Sequence, residues 1–350
     1  MTSPRAGIVL AALAIAILAL TPLAQPSAIG SEGSDSQLVQ SVSGDRIMNT
    51  VRDLEAFGSR IYYVESCLEA GEYIFERFSA LGLYVYYQDL SVNGYLARNV
   101  VAVLNGSDPS GRQILFGAHY DSANVLATDY LVGQTVSAPG ADDDASGVAA
   151  VVELATVLSG TRPVRTVKFV AFAAEESGLN GSRHFVRNEV DSGVRYEATA
   201  ILDMIGYRAG TVDSALLLTR EAGNKFATAA TSAVERHHLD IMMRIEVNAS
   251  ITYSDHYPFW LAGYPSMLVI EEVSAGQVSN PYYHTSNDTS DKLSQSQIEG
   301  VTAALLGAFL DLDSVRGRDY VAIAAAGTAA AAVASVAIYY FATRRRRLEA

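Results

Sequence analysis

Cysteine is nearly absent. Cys67 is the only one in 350 residues, so no intrachain disulfide can form, and stability must come from a packed core or from bound metal. Basic side chains are also scarce. Lysine and arginine number 25 against 38 aspartates and glutamates, for a formal net charge of −13. Setting aside Arg5, the four arginines at 344–347 and Glu349 leaves 20 basic and 37 acidic residues, a net −17. A central region of that sign argues against nucleic acid and anionic lipid as its partners. No internal repeat is visible, and the length suits one large or two small domains.

Charge is missing altogether from two segments. Residues 6–30 carry none; Arg5 precedes the apolar stretch Ile8–Leu20, and small residues follow around Ala24 to Ala28. A positive residue, a short apolar run and then small residues read as a secretory signal over 1–28, cleaved or kept as an N-terminal anchor. Tyr320 to Thr343 is equally free of charge, and four arginines follow at once. About 20 apolar residues in a helix cross a bilayer core, and basic residues stay on the cytoplasmic side. The expectation is a transmembrane helix over 320–343 with a basic cytoplasmic tail over 344–350. The central domain, 45–312, is then extracytoplasmic at the cell membrane. A polar linker over 29–44 precedes it, and a short tether over 313–319 follows.

Helical periodicity covers Asp45–Phe57 and Cys67–Leu81, with strand-like runs at Leu83–Leu90 and Asn99–Leu104. Apolar runs at Ile114–Ala118, Val167–Ala174, Ala198–Leu202 and Met267–Ile270 are short enough to be buried strands. Helices are expected at Ala145–Leu158, with Asp144 as its cap and Gly160 beyond its end, and at Ser290–Leu312. Strands alternating with helices imply an α/β fold: a mixed, mostly parallel central sheet with helices on both faces.

Three of those strands run out into groups able to bind a divalent metal. They are His119 followed by Asp121, the pair Glu175-Glu176, and Asp203. In open α/β sheets ligands bind beyond the carboxyl ends of the strands. Asp142-Asp143-Asp144 stands before a helix, where one acid would suffice as a cap, and His284 lies in a polar loop before the last helix. His119, Asp143, Glu176, Asp203 and His284 together make a set of two imidazoles and three carboxylates. Such mixed donors suit zinc, and cobalt or manganese as well. Five ligands exceed the needs of one open tetrahedral site, which suggests two metal ions sharing a carboxylate.

Taken in this order and spacing, these segments resemble the di-zinc aminopeptidases of peptidase family M28. Phe57-Gly58-Ser59-Arg60, Ala97-Arg98-Asn99-Val100-Val101 and Ser254-Asp255-His256 add to the likeness, which spans about residues 45 to 312. The resemblance implies the zinc-dependent exopeptidase (phosphorylase/hydrolase-like) fold and two divalent ions, most simply Zn²⁺. By position, His119 and Asp203 would hold one ion, Glu176 and His284 the other, with Asp143 bridging. Glu175 matches the general base, Tyr283 a tyrosine that stabilises the oxyanion in some members, and Asp121 the carboxylate that orients His119. Asp255 and His256 are expected just behind the ligands. The implied substrates are peptides or small proteins with free N-termini. Two alternatives share the fold: a single-zinc glutaminyl cyclase, which Asp255-His256-Tyr257-Pro258-Phe259 resembles, and a non-catalytic binding ectodomain. The three-Asp run and the presence of every ligand position favour the peptidase.

Overall fold

The architecture is seen in a computed structural model, which describes residues 31–108, 111–124, 137–221, 224–274 and 277–313. Three helices come first: α1 (Ser31–Val39), α2 (Gly44–Glu55) and α3 (Glu65–Ala80). The hairpin β1 (Tyr84–Val92) and β2 (Tyr95–Leu104) leads to β3 (Gln113–His119). A kinked segment, Ala141–Ser146, in which Asp143 and Asp144 have non-helical backbone angles, opens α4 (Gly147–Ser159), followed by β4 (Val167–Phe172), α5 (Asn180–Asp191), β5 (Tyr196–Leu202) and β6 (Ser214–Thr219). Then come α6 (Lys225–Arg236), β7 (Met242–Val247), α7 (His256–Leu261), β8 (Ser266–Ile270), a small hairpin of β9 (Val273–Ser274) and β10 (Gln277–Val278), and α8 (Gln295–Leu312).

The main sheet has eight strands in the order β1-β2-β4-β3-β5-β8-β6-β7. Its centre, β4-β3-β5-β8, is parallel throughout, so four strands end at one rim. β2 runs antiparallel to β4, and β6 antiparallel to β8. The second departs from the parallel pairing expected there, because a loop rather than a crossover helix joins β5 to β6.

Both faces of the sheet are covered. Ile114, Phe116 and Ala118 of β3 pack with residues of α2, α3, α4, α6 and α8, while Leu115 faces the layer containing Phe185 of α5 and Phe259 of α7. This alternation follows from the two-residue period of a strand. Each fully buried Leu or Phe stabilises by roughly 1.5–3 kcal/mol, so α8, with Val301, Leu305, Leu306 and Phe309 buried, is a principal anchor.

Several expectations need correction. The segment taken as a linker contains α1, and its Leu38 and Val39 are buried in the core. β4 stops at Phe172 rather than Ala174, because Ala174 turns the chain at φ +55°. The closing helix is broken: a 3-10 turn covers Ser290–Lys292, and α8 begins only after Ser294, whose hydroxyl accepts from the Gln297 amide. Among the described residues no helix is long and apolar enough to cross a membrane; the signal over 1–28, the span over 320–343, the tail over 344–350 and nearly all of the tether lie outside them.

Candidate metal centre

The parallel register brings distant side chains level. Gly117 of β3 pairs with Ile201 of β5, which places His119 beside Asp203, with Nε2 and Oδ1 3.8 Å apart. The turn at Ala174 carries Glu175-Glu176 over the same rim. It is held close because α5 starts hard against β4: a Cβ on Gly181 would stand 2.3 Å from the Ala173 carbonyl oxygen. His284, at φ +56°, reaches in from the loop before the 3-10 turn, with the Tyr283 ring stacked on it at 3.7 Å between centroids.

Asp143 lies at the middle of the cluster. Its Oδ1 is 3.1 Å from His119 Nε2, and its Oδ2 is 3.0 Å from His284 Nε2. His284 Nε2 also lies 2.9 Å from Glu176 Oε2 and 3.1 Å from Oε1. One imidazole N–H cannot serve three oxygens, and the buried Asp143 Oδ2 has no donor aligned with it. Lone pairs converging from carboxylates and imidazoles, with too few protons between them, suit cations. The donors form two groups of possible ligands, each within 4.8 Å: Asp143, Glu176 and His284, and His119, Asp203 and Asp144.

Asp144, however, is occupied by main-chain donors. It accepts from Gly147 at 2.9 Å, Met204 at 3.2 Å and, through its other oxygen, His119 at 3.2 Å. The expected cap of α4 therefore also ties the ends of β3 and β5 together. The peptide joining Asp143 to Asp144 is cis. Asp121 also does more than expected. Its carboxylate accepts from the amides of Glu175 at 3.0 Å and Glu176 at 3.2 Å, while its main-chain oxygen lies 3.1 Å from His119 Nδ1. A proton on Nδ1 leaves the Nε2 lone pair free for a metal.

The bare cluster is electrostatically loaded. Burial raises the Glu175 carboxyl well above the usual range, and Glu176, Asp255 and Asp203 add to this against the pull of His119. Burial and Asp143 likewise push Glu176 up to about 8. Burial alone would depress His284, but hydrogen bonds to Asp143 and Glu176 outweigh it and raise the ring to about 10. In Asp143 burial is outweighed by the two histidines, and the carboxyl is held low. Divalent cations seated among these groups would favour the charged carboxylates and the neutral imidazoles.

Asp255 is fully buried, and burial lifts it to about 7 against a hydrogen bond from Ser182. His256 is also buried, with Nε2 3.0 Å from the Ile251 carbonyl oxygen and its ring edge-on to Trp260; burial lowers it to about 4. A cavity of about 330 Å³ opens over the cluster, and its lining includes His119, Asp143, Glu175, Glu176, Asp203 and Tyr283. The rest of the lining mixes apolar side chains, among them Met204, Ile270 and Val278, with Arg183, Thr252 and Tyr253.

Several supports had no role in the sequence reading. Arg60, quoted only as part of a motif, is fully buried. It donates to the carbonyl oxygens of Tyr120 at 2.7 Å, Leu54 at 3.2 Å, Pro139 at 2.5 Å and Gly140 at 2.7 Å, which pins the loop leading to Asp143. Asp288 accepts from the amides of Asp142 at 2.9 Å and Asp143 at 3.1 Å. Glu271, at the end of β8, accepts from the Tyr207 amide at 2.9 Å and hydrogen-bonds the buried Asp142 carboxyl. For Glu271 the signal available was a charged residue ending an apolar run; the partners of all three became identifiable only in three dimensions.

The profile of Peptidase family M28 matches residues 99–309, and the chain belongs to that family. Among curated relatives, "Leucine aminopeptidase 1" of Fusarium vanettenii is 30% identical over 257 residues, 69% of this chain and 63% of that protein. A "Probable zinc metalloprotease" of Pyrenophora teres f. teres is 44% identical over 107 residues, 31% of this chain and 22% of that one. The chain thus spans less than two thirds of either relative's length. Among solved structures, LapB from Legionella pneumophila has a TM-score of 0.70 at 24% identity, covering 89% of this chain and 84% of that one. A glutaminyl cyclase from Bacteroides thetaiotaomicron has a TM-score of 0.63 at 20% identity, covering 77% and 98%. At these identities the structural likeness defines the fold alone.

Proposed function

We propose that this protein is a zinc aminopeptidase acting at two metal ions, held on the outer face of a membrane. The observation that carries the reading is the Asp143 carboxylate, one oxygen toward His119 and the other toward His284, as a ligand shared by two sites requires. His119 and Asp203 would hold one ion, and Glu176 and His284 the other. Bound there, two zinc ions would polarise the peptide carbonyl and acidify water. Glu175, at the cavity wall, takes the proton of the attacking water and returns it to the leaving amine. Tyr283 adds a hydroxyl donor toward the developing oxyanion. The apolar lobe at Met204, Ile270 and Val278 accepts the side chain of the N-terminal residue.

The names of relatives support the same reading, as a leucine aminopeptidase and a zinc metalloprotease. For the membrane, the support is compositional: no charge from Tyr320 to Thr343, then four arginines. A chain ending at Asp313 should be soluble once the signal is removed; if it still sediments with membranes, the anchor lies elsewhere.

The decisive assay is a panel of amino-acid anilides and their N-acetylated forms, before and after chelation. Cleavage of only the free-amine forms, lost with chelator and restored by zinc, is the expected result. Cyclisation of an N-terminal glutaminyl peptide with one tightly held zinc per chain would instead select the cyclase.

A further inference from the structure

Beyond the metal cluster, one side chain of the cavity is out of character with the rest. Among the described residues, Arg183 is the only lysine or arginine lining it. It belongs to the first turns of α5 and is exposed at the lip. Its Nε donates to the Gly178 carbonyl oxygen at 3.1 Å. Among the described residues the guanidinium makes no ion pair, although Glu175 and Glu176 line the same cavity. The fork is thus fixed at its inner nitrogen, with the two terminal nitrogens free to donate.

Its position along the rim gives it a direction. The four parallel strands end in the order β4, β3, β5, β8. The apolar lobe belongs to the β5 and β8 end, through Met204 and Ile270. Glu175, Glu176 and Arg183 belong to the β4 end, with His119 on β3 between and Asp203 beside Met204 after β5. Side chains before and after a bond cut over the metals lie on opposite sides of them. Glu175, which hands a proton to the leaving amine in the mechanism above, marks the β4 side as the one the leaving fragment occupies.

We propose that Arg183 is a specificity residue that binds a carboxylate of the leaving fragment, so that short peptides with a free C-terminal carboxylate, or an acidic residue just after the cut, are preferred. A planar guanidinium with two free N–H edges matches a carboxylate in bidentate fashion. In a molecule of net charge −13, an arginine placed at the mouth without a partner also offsets the repulsion an anionic peptide meets on approach. This inference rests on the aminopeptidase reading.

The test uses the full chain loaded with zinc and measures kcat and KM for four peptides: Leu-Gly, Leu-Gly amide, Leu-Asp amide and Leu-Lys amide. The wild type should favour Leu-Gly over its amide by about fivefold, the scale of an exposed ion pair, with the difference in KM. A preference for Leu-Asp amide over Leu-Gly amide would identify side-chain carboxylates as a second source. Arg183→Gln should bring the acid-to-amide ratio close to one, Arg183→Lys should leave it intermediate, and Arg183→Glu should reverse the order of Leu-Asp amide and Leu-Lys amide. Because each ratio is taken within one variant, a general loss of folded protein cancels. Equal ratios in the wild type and all variants would overturn the role of Arg183 alone. Failure of the wild type to cleave any of the four would overturn the aminopeptidase reading and this inference with it.

Discussion

Asp121 holds Glu175 by its main chain: the Asp121 Oδ1 atom accepts the Glu175 amide at 3.0 Å, and Oδ2 accepts the Glu176 amide at 3.2 Å. The neighbouring His119 leans on the same residue through its carbonyl oxygen at 3.1 Å. One residue therefore positions the expected base and Glu176 through its side chain, and His119 through its main chain. Asp121→Asn keeps one acceptor but sets an NH₂ group against an amide N–H. It should lower kcat/KM by about 10- to 100-fold and weaken zinc retention to a similar degree. Zinc per chain after dialysis, measured beside the kinetics, checks both.

Glu175→Gln preserves the shape of the site and removes the proton acceptor. Hydrolysis should fall by at least about 10²- to 10⁴-fold, with unchanged thermal unfolding and metal content. Normal turnover in this variant would end the general-base assignment.

Removing metal should destabilise the fold as well as silence it. Asp143, Glu175 and Asp203 are buried together with only histidines to balance them, and cations relieve their repulsion. At a hundredfold excess over its Kd, one bound zinc adds about 2.7 kcal/mol. Chelation should therefore lower Tm by about 5 °C or more, and about two zinc ions per chain should restore it. A melting curve indifferent to chelator would show that the acidic cluster does not depend on cations.

His256 predicts a pH dependence with a definite sign. Its ring is depressed from 6.5 to about 4 by burial, so the unfolded chain takes up the proton first as pH falls. The stability from keeping it neutral is complete above pH 6.5 and is lost progressively toward pH 4. The loss relative to His256→Gln should reach about 2 kcal/mol by pH 5 and about 3 kcal/mol at the acid limit. Denaturant midpoints of both proteins at pH 7.5 and 5 test it; parallel shifts would refute the assignment.

Much of the site was legible before the fold was known, since a chemistry-bearing residue after a short apolar run marks a strand end. His119 and Asp203 were found that way, and their level placement then follows from parallel pairing. His284 was harder to find, because it reaches the cluster from a loop with no periodicity to read. Arg60 was invisible as a support, since its four acceptors are carbonyl oxygens, and every residue has one. The linker reading failed at α1 for a related cause: a polar, weakly amphipathic stretch becomes helical when only Leu38 and Val39 find a core to enter.

The order and kinds of donor groups belong to the sequence by itself, because chemistry travels with residue type and strand ends follow from apolar run length. Which oxygen of Asp143 faces which histidine, and that Arg183 lines the same cavity as the cluster, was decided only by tertiary structure. Strand order across a sheet is set by pairings between segments far apart in the chain, and no local pattern of residues encodes it.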